Sequence, residues 1–298
     1  MEKRPFLPEL FLWAANLIPL SWRIRALEGL ALLIYALDLR HRIITRRNMA
    51  LAFPDLEPGE RSRMAREAFR HLGRVLAEFS FTPRLTGENL GRYLTLEGRD
   101  HFQRAYERGR GVLFLTAHFG NWEWMAASFA LLVRPCHVVV RPLDNQFLDA
   151  LVDRLRTWTG NRTVPKQKAM GRILRLLREG QAVGILLDQN MAWQEGVFVD
   201  FFGQPACTNT GLARLARKTG AAVLPAFNVR QADGRYKVII GAEVELARSE
   251  DRERDVKENT ARFSRIIEGY VRAYPDHWLW LHQRWKTRPW QVPAGRAA

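Results

Sequence analysis

His118 and Glu123, with four residues between them in His-Phe-Gly-Asn-Trp-Glu, are the pair whose types and spacing most directly suggest chemistry. An imidazole oriented by a carboxylate is a general base that takes a proton from an alcohol near neutral pH. The spacing predicts that the Glu123 carboxylate reaches one ring nitrogen while the other faces a cleft. The alternative for His118 is a structural, hydrogen-bonded histidine at a strand end. More polar residues stand where a core would not place them: Arg141 in Arg-Pro-Leu-Asp-Asn, Arg156 in Asp-Arg-Leu-Arg, and Asp188 in Asp-Gln-Asn. Asp188 is expected either to bind a sugar or to brace a loop. Backbone N–H groups from Gly120 through Asn121 to Trp122, at a helix start, are candidates for holding charge on a tetrahedral intermediate.

These residues need a scaffold that brings them together. Val112–Thr116 reads as a buried strand ending just before His118, and Trp122–Leu132 as the following helix. After Pro83 the chain alternates strand and helix. Further strands are expected near Leu94–Glu97, His137–Arg141, Val183–Leu187, Leu224–Val229 and Tyr236–Ile240. Helices are expected near Asp100–Arg108, Asn145–Thr157, Lys168–Glu179, Gly211–Lys218 and Arg252–Tyr274, with an amphipathic helix over Gly59–Phe81. Such alternation predicts an α/β fold: a mixed, mostly parallel sheet flanked by helices. Gln-Ala-Asp-Gly between the last two strands is hairpin chemistry and makes part of the sheet antiparallel. Ligands in such sheets bind outside the carboxyl ends of the strands, so His118, Arg141 and Asp188 are expected to face one crevice. Val197–Ala206 reads either as the lining of a channel for something greasy or as a core strand with a turn.

The first fifty residues differ from the rest. Leu10–Ser21 and Ala26–Leu37 are apolar but each falls short of the roughly 20 residues of a spanning helix. Arginines 23, 25, 40, 42, 46 and 47 flank them, with Trp13, Trp22 and Tyr35 nearby. That pattern predicts helices lying in an anionic membrane surface, with ordinary core helices as the alternative. Residues 1–48 are accordingly expected to anchor and 49–298 to form the catalytic domain. The 298 residues carry 46 Lys+Arg against 31 Asp+Glu, a formal charge of +15. Such an excess favours an anionic partner: acidic protein, anionic lipid or nucleic acid. Without a basic low-complexity tail, a zinc pattern or an aromatic RNA-binding motif, nucleic acid is not the expected partner. Cys136 and Cys207 have no metal or redox spacing and suit a reducing compartment.

Taken in order, several segments resemble the lipid A biosynthesis acyltransferase family. They are Arg47-Asn-Met to Phe53-Pro54, His118 to Glu123, Arg141 to Asn145, Asp188-Gln189, Val199 to Thr208 and Trp280 to Pro289. The resemblance implies a fold similar to glycerol-phosphate acyltransferases, with an N-terminal hydrophobic helix at the cytoplasmic face of the bacterial inner membrane. It implies that His118 deprotonates an acceptor hydroxyl and Glu123 orients and polarises it. The hydroxyl would attack a thioester of acyl carrier protein or coenzyme A directly. The absence of a Gly-x-Ser-x-Gly elbow or a nucleophilic cysteine pattern agrees with transfer lacking an acyl-enzyme. No cofactor is expected beyond the donor itself, and the seven histidines show no clustered metal-ligand pattern. The family's functional arginine maps onto Arg156, with Arg141 second, to hold a phosphate of the acceptor or of the donor's phosphopantetheine. The implied partners are acyl carrier protein, an anionic glycolipid acceptor and the inner membrane surface. Many relatives have Asp where this chain has Asn190, which weakens any acidic role there. Acylation of another glycolipid, aminolipid or lysophospholipid is the second reading, and a non-catalytic lipid-binding protein the third. The cluster of Trp278, Trp280, Arg284, Trp285 and Lys286 is expected to anchor at an interface, dock the donor or pack in the core.

Overall fold

The structure is a computed structural model that describes residues 6–167 and 169–291. Its centre is the strand β2 (Val112–Thr116), buried at every residue, as expected of a parallel strand covered on both faces. Beside it lie β5 (Ala182–Leu186), then β3 (His137–Val140) and β4 (Arg162–Pro165), all parallel. On the other side β8 (Ala222–Arg230) is parallel to β2. Next come β9 (Tyr236–Ile240), antiparallel to β8, and β1 (Leu94–Glu97), parallel to β9. The sheet order is therefore β1-β9-β8-β2-β5-β3-β4, mixed and mostly parallel, with the expected hairpin as its antiparallel step. Short β4, at the edge and ending in Pro165, has no hydrophobic run to announce it; an edge is where a sheet tolerates proline.

Side chains alternate across this sheet and define two layers. Val112 and Phe114 face α5 (Arg99–Glu107) and α6 (Trp122–Leu132), packing on Phe102, Trp124 and Phe129. Leu113 and Leu115 face the other way, toward α4 (Pro58–Phe79), α8 (Ala169–Arg178), α9 (Gly211–Thr219) and α10 (Arg252–Ala273). The helix α7 (Gln146–Thr157) connects β3 to β4.

The segment 197–206 belongs to a two-stranded hairpin, β6 (Gly196–Phe201) and β7 (Gln204–Asn209). Phe201 and Phe202 pack against the tryptophans of the C-terminal segment, so this run is core and does not line the cavity described below.

At the N-terminus, Pro19 separates α1 (Phe6–Ala15) from α2 (Leu20–Leu37). Among the described residues no helix is long and apolar enough to cross a membrane. Nor does the chain break at residue 48. That position lies inside α3 (Leu39–Ala52), and the Asn48 side chain donates to the carbonyls of Trp280 and His282. The helix α2 packs along α4, where Glu28 pairs with Arg74. The outer faces of α1 and α2 leave Phe11, Trp13, Trp22, Leu33 and Leu37 exposed.

Candidate active site

The strand β2 delivers His118 just beyond its carboxyl end, and β5 delivers Asp188 beside it. The Nδ1 of His118 lies 2.9 Å from Asp188 Oδ1, and the His118 backbone N–H donates to Oδ2 at 3.0 Å. Trp278 Nε1–H donates to the same Oδ2 at 2.8 Å. Burial opposes the charge of Asp188, but the His118 ring and the hydrogen bonds from His118 and Trp278 outweigh it and hold the carboxyl at about 2. An ionised carboxylate only accepts, so Nδ1 carries the ring proton and the Nε2 lone pair is left to take another. The ring is partly exposed and meets the Trp122 indole edge-on at 5.4 Å.

The carboxylate that orients His118 is therefore Asp188 and not Glu123. Chain geometry explains the exchange. Gly120 turns at φ +57°, where a Cβ would sit 1.7 Å from the Asn228 carbonyl oxygen, so only glycine fits. That turn carries Glu123 into the first turn of α6, where Arg156 from the end of α7 takes it. Arg156 Nε lies 3.1 Å from both Glu123 oxygens, Nη2 also donates to Oε1, and Trp122 Nε1 donates to Oε1 at 3.0 Å. Arg156 is thus engaged by a carboxylate rather than standing free for phosphate.

Asn121 is corrected as well. It is fully buried and caps α6, its side-chain oxygen accepting the Trp124 N–H at 2.9 Å. Its amide donates to Glu78 Oε2 at 2.7 Å, so it faces protein rather than substrate. Glu78 was not foreseen. It sits on α4, also accepts the Tyr236 hydroxyl at 2.7 Å, and burial pushes its carboxyl up to about 7. Gly120 N–H is likewise spent, on the His277 carbonyl at 2.9 Å, whereas the N–H groups of Trp122 and Glu123 meet no acceptor among the described residues.

Asp188 braces this end of the sheet: its buried carboxylate accepts three hydrogen bonds, two from His118 and one from Trp278. Arg141, just past β3, is exposed on the rim of the cavity and pairs with no described residue. The C-terminal cluster resolves toward the core: Trp278, Trp280, Trp285 and Arg284 are buried, and only Lys286 is exposed. Its backbone joins the site, Leu279 N–H donating to the His118 carbonyl at 3.0 Å. Asn190 fixes this segment, its backbone N–H donating to His282 Nε2 at 2.7 Å while its side chain exchanges hydrogen bonds with Thr287. Burial pushes His282 down to about 4, so it stays neutral, and its occupied Nε2 is no rival base. No spacing rule links Trp278 or His282 to His118; the fold alone brings them together.

His118, Trp122 and Glu123 stand at the mouth of a cavity of about 830 Å³. One lobe runs over the α6 face of the sheet, across Thr116, Phe114, Gly184, Val138 and Ala226. Another lies on the opposite face, against Ile173, Leu187, Leu212 and Leu215. Both are mostly apolar. Among the described residues no three His, Cys, Asp or Glu side chains converge as metal ligands.

The site is thus a histidine held by a carboxylate at a strand's carboxyl end, above a mostly apolar cavity in an α/β fold. The chain belongs to the bacterial lipid A biosynthesis acyltransferase family, whose pattern matches residues 4–287. It is 29% identical over 287 residues to the lipid A biosynthesis lauroyltransferase of Escherichia coli K12, covering 95% of this chain and 91% of that one. To the lipid A biosynthesis palmitoleoyltransferase of the same organism it is 31% identical, over 84% of this chain and 80% of the relative. The phosphatidylinositol mannoside acyltransferase of Mycolicibacterium smegmatis matches at 24% identity over 75% of this chain and 69% of its own length. The protein is an acyltransferase.

Proposed function

We propose that this acyltransferase moves a fatty acyl chain from an acyl carrier protein thioester to a hydroxyl of a lipid A precursor. The observation that carries the reading is the His118–Asp188 dyad, with Nε2 free, at the mouth of an apolar cavity. The acceptor hydroxyl gives its proton to Nε2 as its oxygen attacks the thioester carbonyl. The tetrahedral intermediate collapses, the C–S bond breaks, and the imidazolium returns its proton to the departing thiolate. Asp188 stabilises the imidazolium between these steps. The N–H groups of Trp122 and Glu123, at the positive end of α6 and without an acceptor among the described residues, serve in this reading as donors to the developing oxyanion. Arg141, on the rim, suits a phosphate of the acceptor or of the donor's arm.

The same reading puts the enzyme on the cytoplasmic surface of a bacterial inner membrane. The exposed apolar residues of α1 and α2 support this, with exposed Arg25, Arg40, Arg46 and Arg47 beside them. Leu143, Phe147 and Leu148 extend the apolar surface to the cavity rim, where Phe147 meets Phe11 of α1 edge-on. The basic chain also complements an acidic carrier protein. The likeness to a mannoside acyltransferase favours a second reading, transfer to a different glycolipid.

The test is transfer of labelled acyl groups from acyl carrier protein and from coenzyme A to a panel of acceptors, wild type beside His118→Ala. The panel holds a lipid A precursor, lysophospholipids and phosphatidylinositol mannosides. Transfer to the precursor that is lost in the variant supports the proposal. Transfer confined to another lipid replaces the acceptor, and no transfer from either donor overturns the reading.

A further inference from the structure

Gly184 lies in the middle of β5, a buried strand position where glycine weakens a sheet and needs a reason. Its neighbours across the sheet are Phe114 on β2 and Val138 on β3, both of which face α6. A Cβ built on Gly184 points to the same face, yet its only neighbour within 4 Å is the His137 carbonyl oxygen, at 3.9 Å. In a close-packed core that place would be filled by side chains. Here it opens into the lobe, because Gly184, Phe114 and Val138 all line the cavity.

Register gives the depth of this opening. Thr116 pairs with Leu186, and Phe114 with Gly184, so Gly184 lies one inward-facing row below Thr116, where the strand ends two residues before His118. At ~3.3 Å per residue that is about 7 Å of strand below the end that presents His118. The next row down ends at Cys136, a buried thiol that also walls a separate cavity of about 370 Å³. The lobe thus has a mouth at the chemistry, a gap at Gly184 and a floor at Cys136.

We infer that Gly184 selects the donor acyl chain by length: its missing side chain is the space through which a long chain passes toward Cys136. The inference rests on the acyl-transfer reading and deepens it. A side chain placed at Gly184 faces the lobe and closes it at a fixed distance from the reacting carbonyl. Short chains end above the obstruction, and long ones collide with it. Valine suits the strand itself, since a β-branched residue is favoured there over glycine.

The experiment gives wild type, Gly184→Val and Gly184→Leu a ladder of carrier-protein thioesters from octanoyl to palmitoyl, with one acceptor. The expected result is that the rate ratio of longest to shortest chain falls about tenfold or more in Gly184→Val, and further in Gly184→Leu. Even one methylene of misfit is worth roughly 10–200-fold in such a pocket. An unchanged ratio in variants whose unfolding midpoints show them folded overturns the inference. Displacement of a fluorescent fatty acid by unlabelled acids of the same lengths is measured on the same proteins and needs no turnover. If wild type transfers nothing, the acyl-transfer reading fails separately, and the displacement series then decides. Weaker displacement by long acids in Gly184→Val than in wild type supports a length filter; identical series overturn it.

Discussion

Asp188 grips His118 twice, through the ring at Oδ1 and through the backbone N–H at Oδ2, while Trp278 donates to the same Oδ2. One carboxylate therefore fixes the tautomer of His118, the orientation of its ring and the end of the strand that presents it.

Asp188→Asn keeps the shape and loses the charge. The variant is expected to lower kcat by about 10²–10⁴, by analogy with the loss of the orienting aspartate in a catalytic triad. Glu123→Gln, which leaves the dyad intact, is expected to lower kcat less. Steady-state kinetics of both variants with the same donor and acceptor check the order, and the reverse order would return the orienting role to Glu123.

Acid stability should report the same contact. The carboxyl of Asp188 sits at about 2 in the fold, against ~3.9 in an unfolded chain. Its contribution is fully present above the unfolded value and is lost as pH falls toward the folded one. Denaturant unfolding between about pH 4 and 2 is expected to show a shallower loss for Asp188→Asn than for wild type.

Glu78 has the opposite sign. Burial lifts it to about 7, from ~4.3 unfolded. In that interval the folded state holds the extra proton, so stability falls as pH rises from about 4 to 7. Glu78→Gln keeps an oxygen to accept from Asn121 and Tyr236, and is expected to flatten this dependence and unfold at higher denaturant near pH 8. Urea melts at three pH values suffice.

Arg156→Ala strands the Glu123 carboxylate, which is nearly buried. A loss of about 3 kcal/mol is expected, at the lower end for breaking a buried pair because Arg156 is partly exposed. Adding Glu123→Gln removes the uncompensated charge and is expected to recover part of it. The double-mutant cycle measures both.

Membrane contact is expected to weaken when Leu33 and Leu37 are both replaced by glutamate. They are exposed, at 53% and 72%, so the fold loses little while the surface loses its apolar face. Co-flotation with anionic vesicles should fall, and transfer to a water-soluble acceptor analogue should persist.

Much of the scaffold was legible in the sequence because its strands are short apolar runs and its helices carry strong periodicity. The β2–α6 turn, the β8–β9 hairpin and the α10 helix all lie where the pattern puts them. Partners were harder to read than elements. His118 and Glu123 are close in sequence, and that closeness suggested a bond which the Gly120 turn prevents. The true partner, Asp188, was visible as a polar residue at a strand end, but nothing local says which ring it faces. Asn121 read as a site residue because it neighbours one, yet capping α6 turns its side chain inward. Glu78 gave no signal at all: a single carboxylate on an amphipathic helix looks like a surface residue until Tyr236 and Asn121 cover it.

The segment from Pro275 to Thr287 has a consequence for the order in which the enzyme comes to life. It pairs with Phe119, supplies Trp278 to Asp188, and is held by Asn48 and Asn190. A ribosome releases it after every strand of the sheet. Until then His118 lacks its bracing indole and the neighbouring backbone that accepts from Gly120. A nascent chain would hold His118 beside Asp188 without the segment that braces them both.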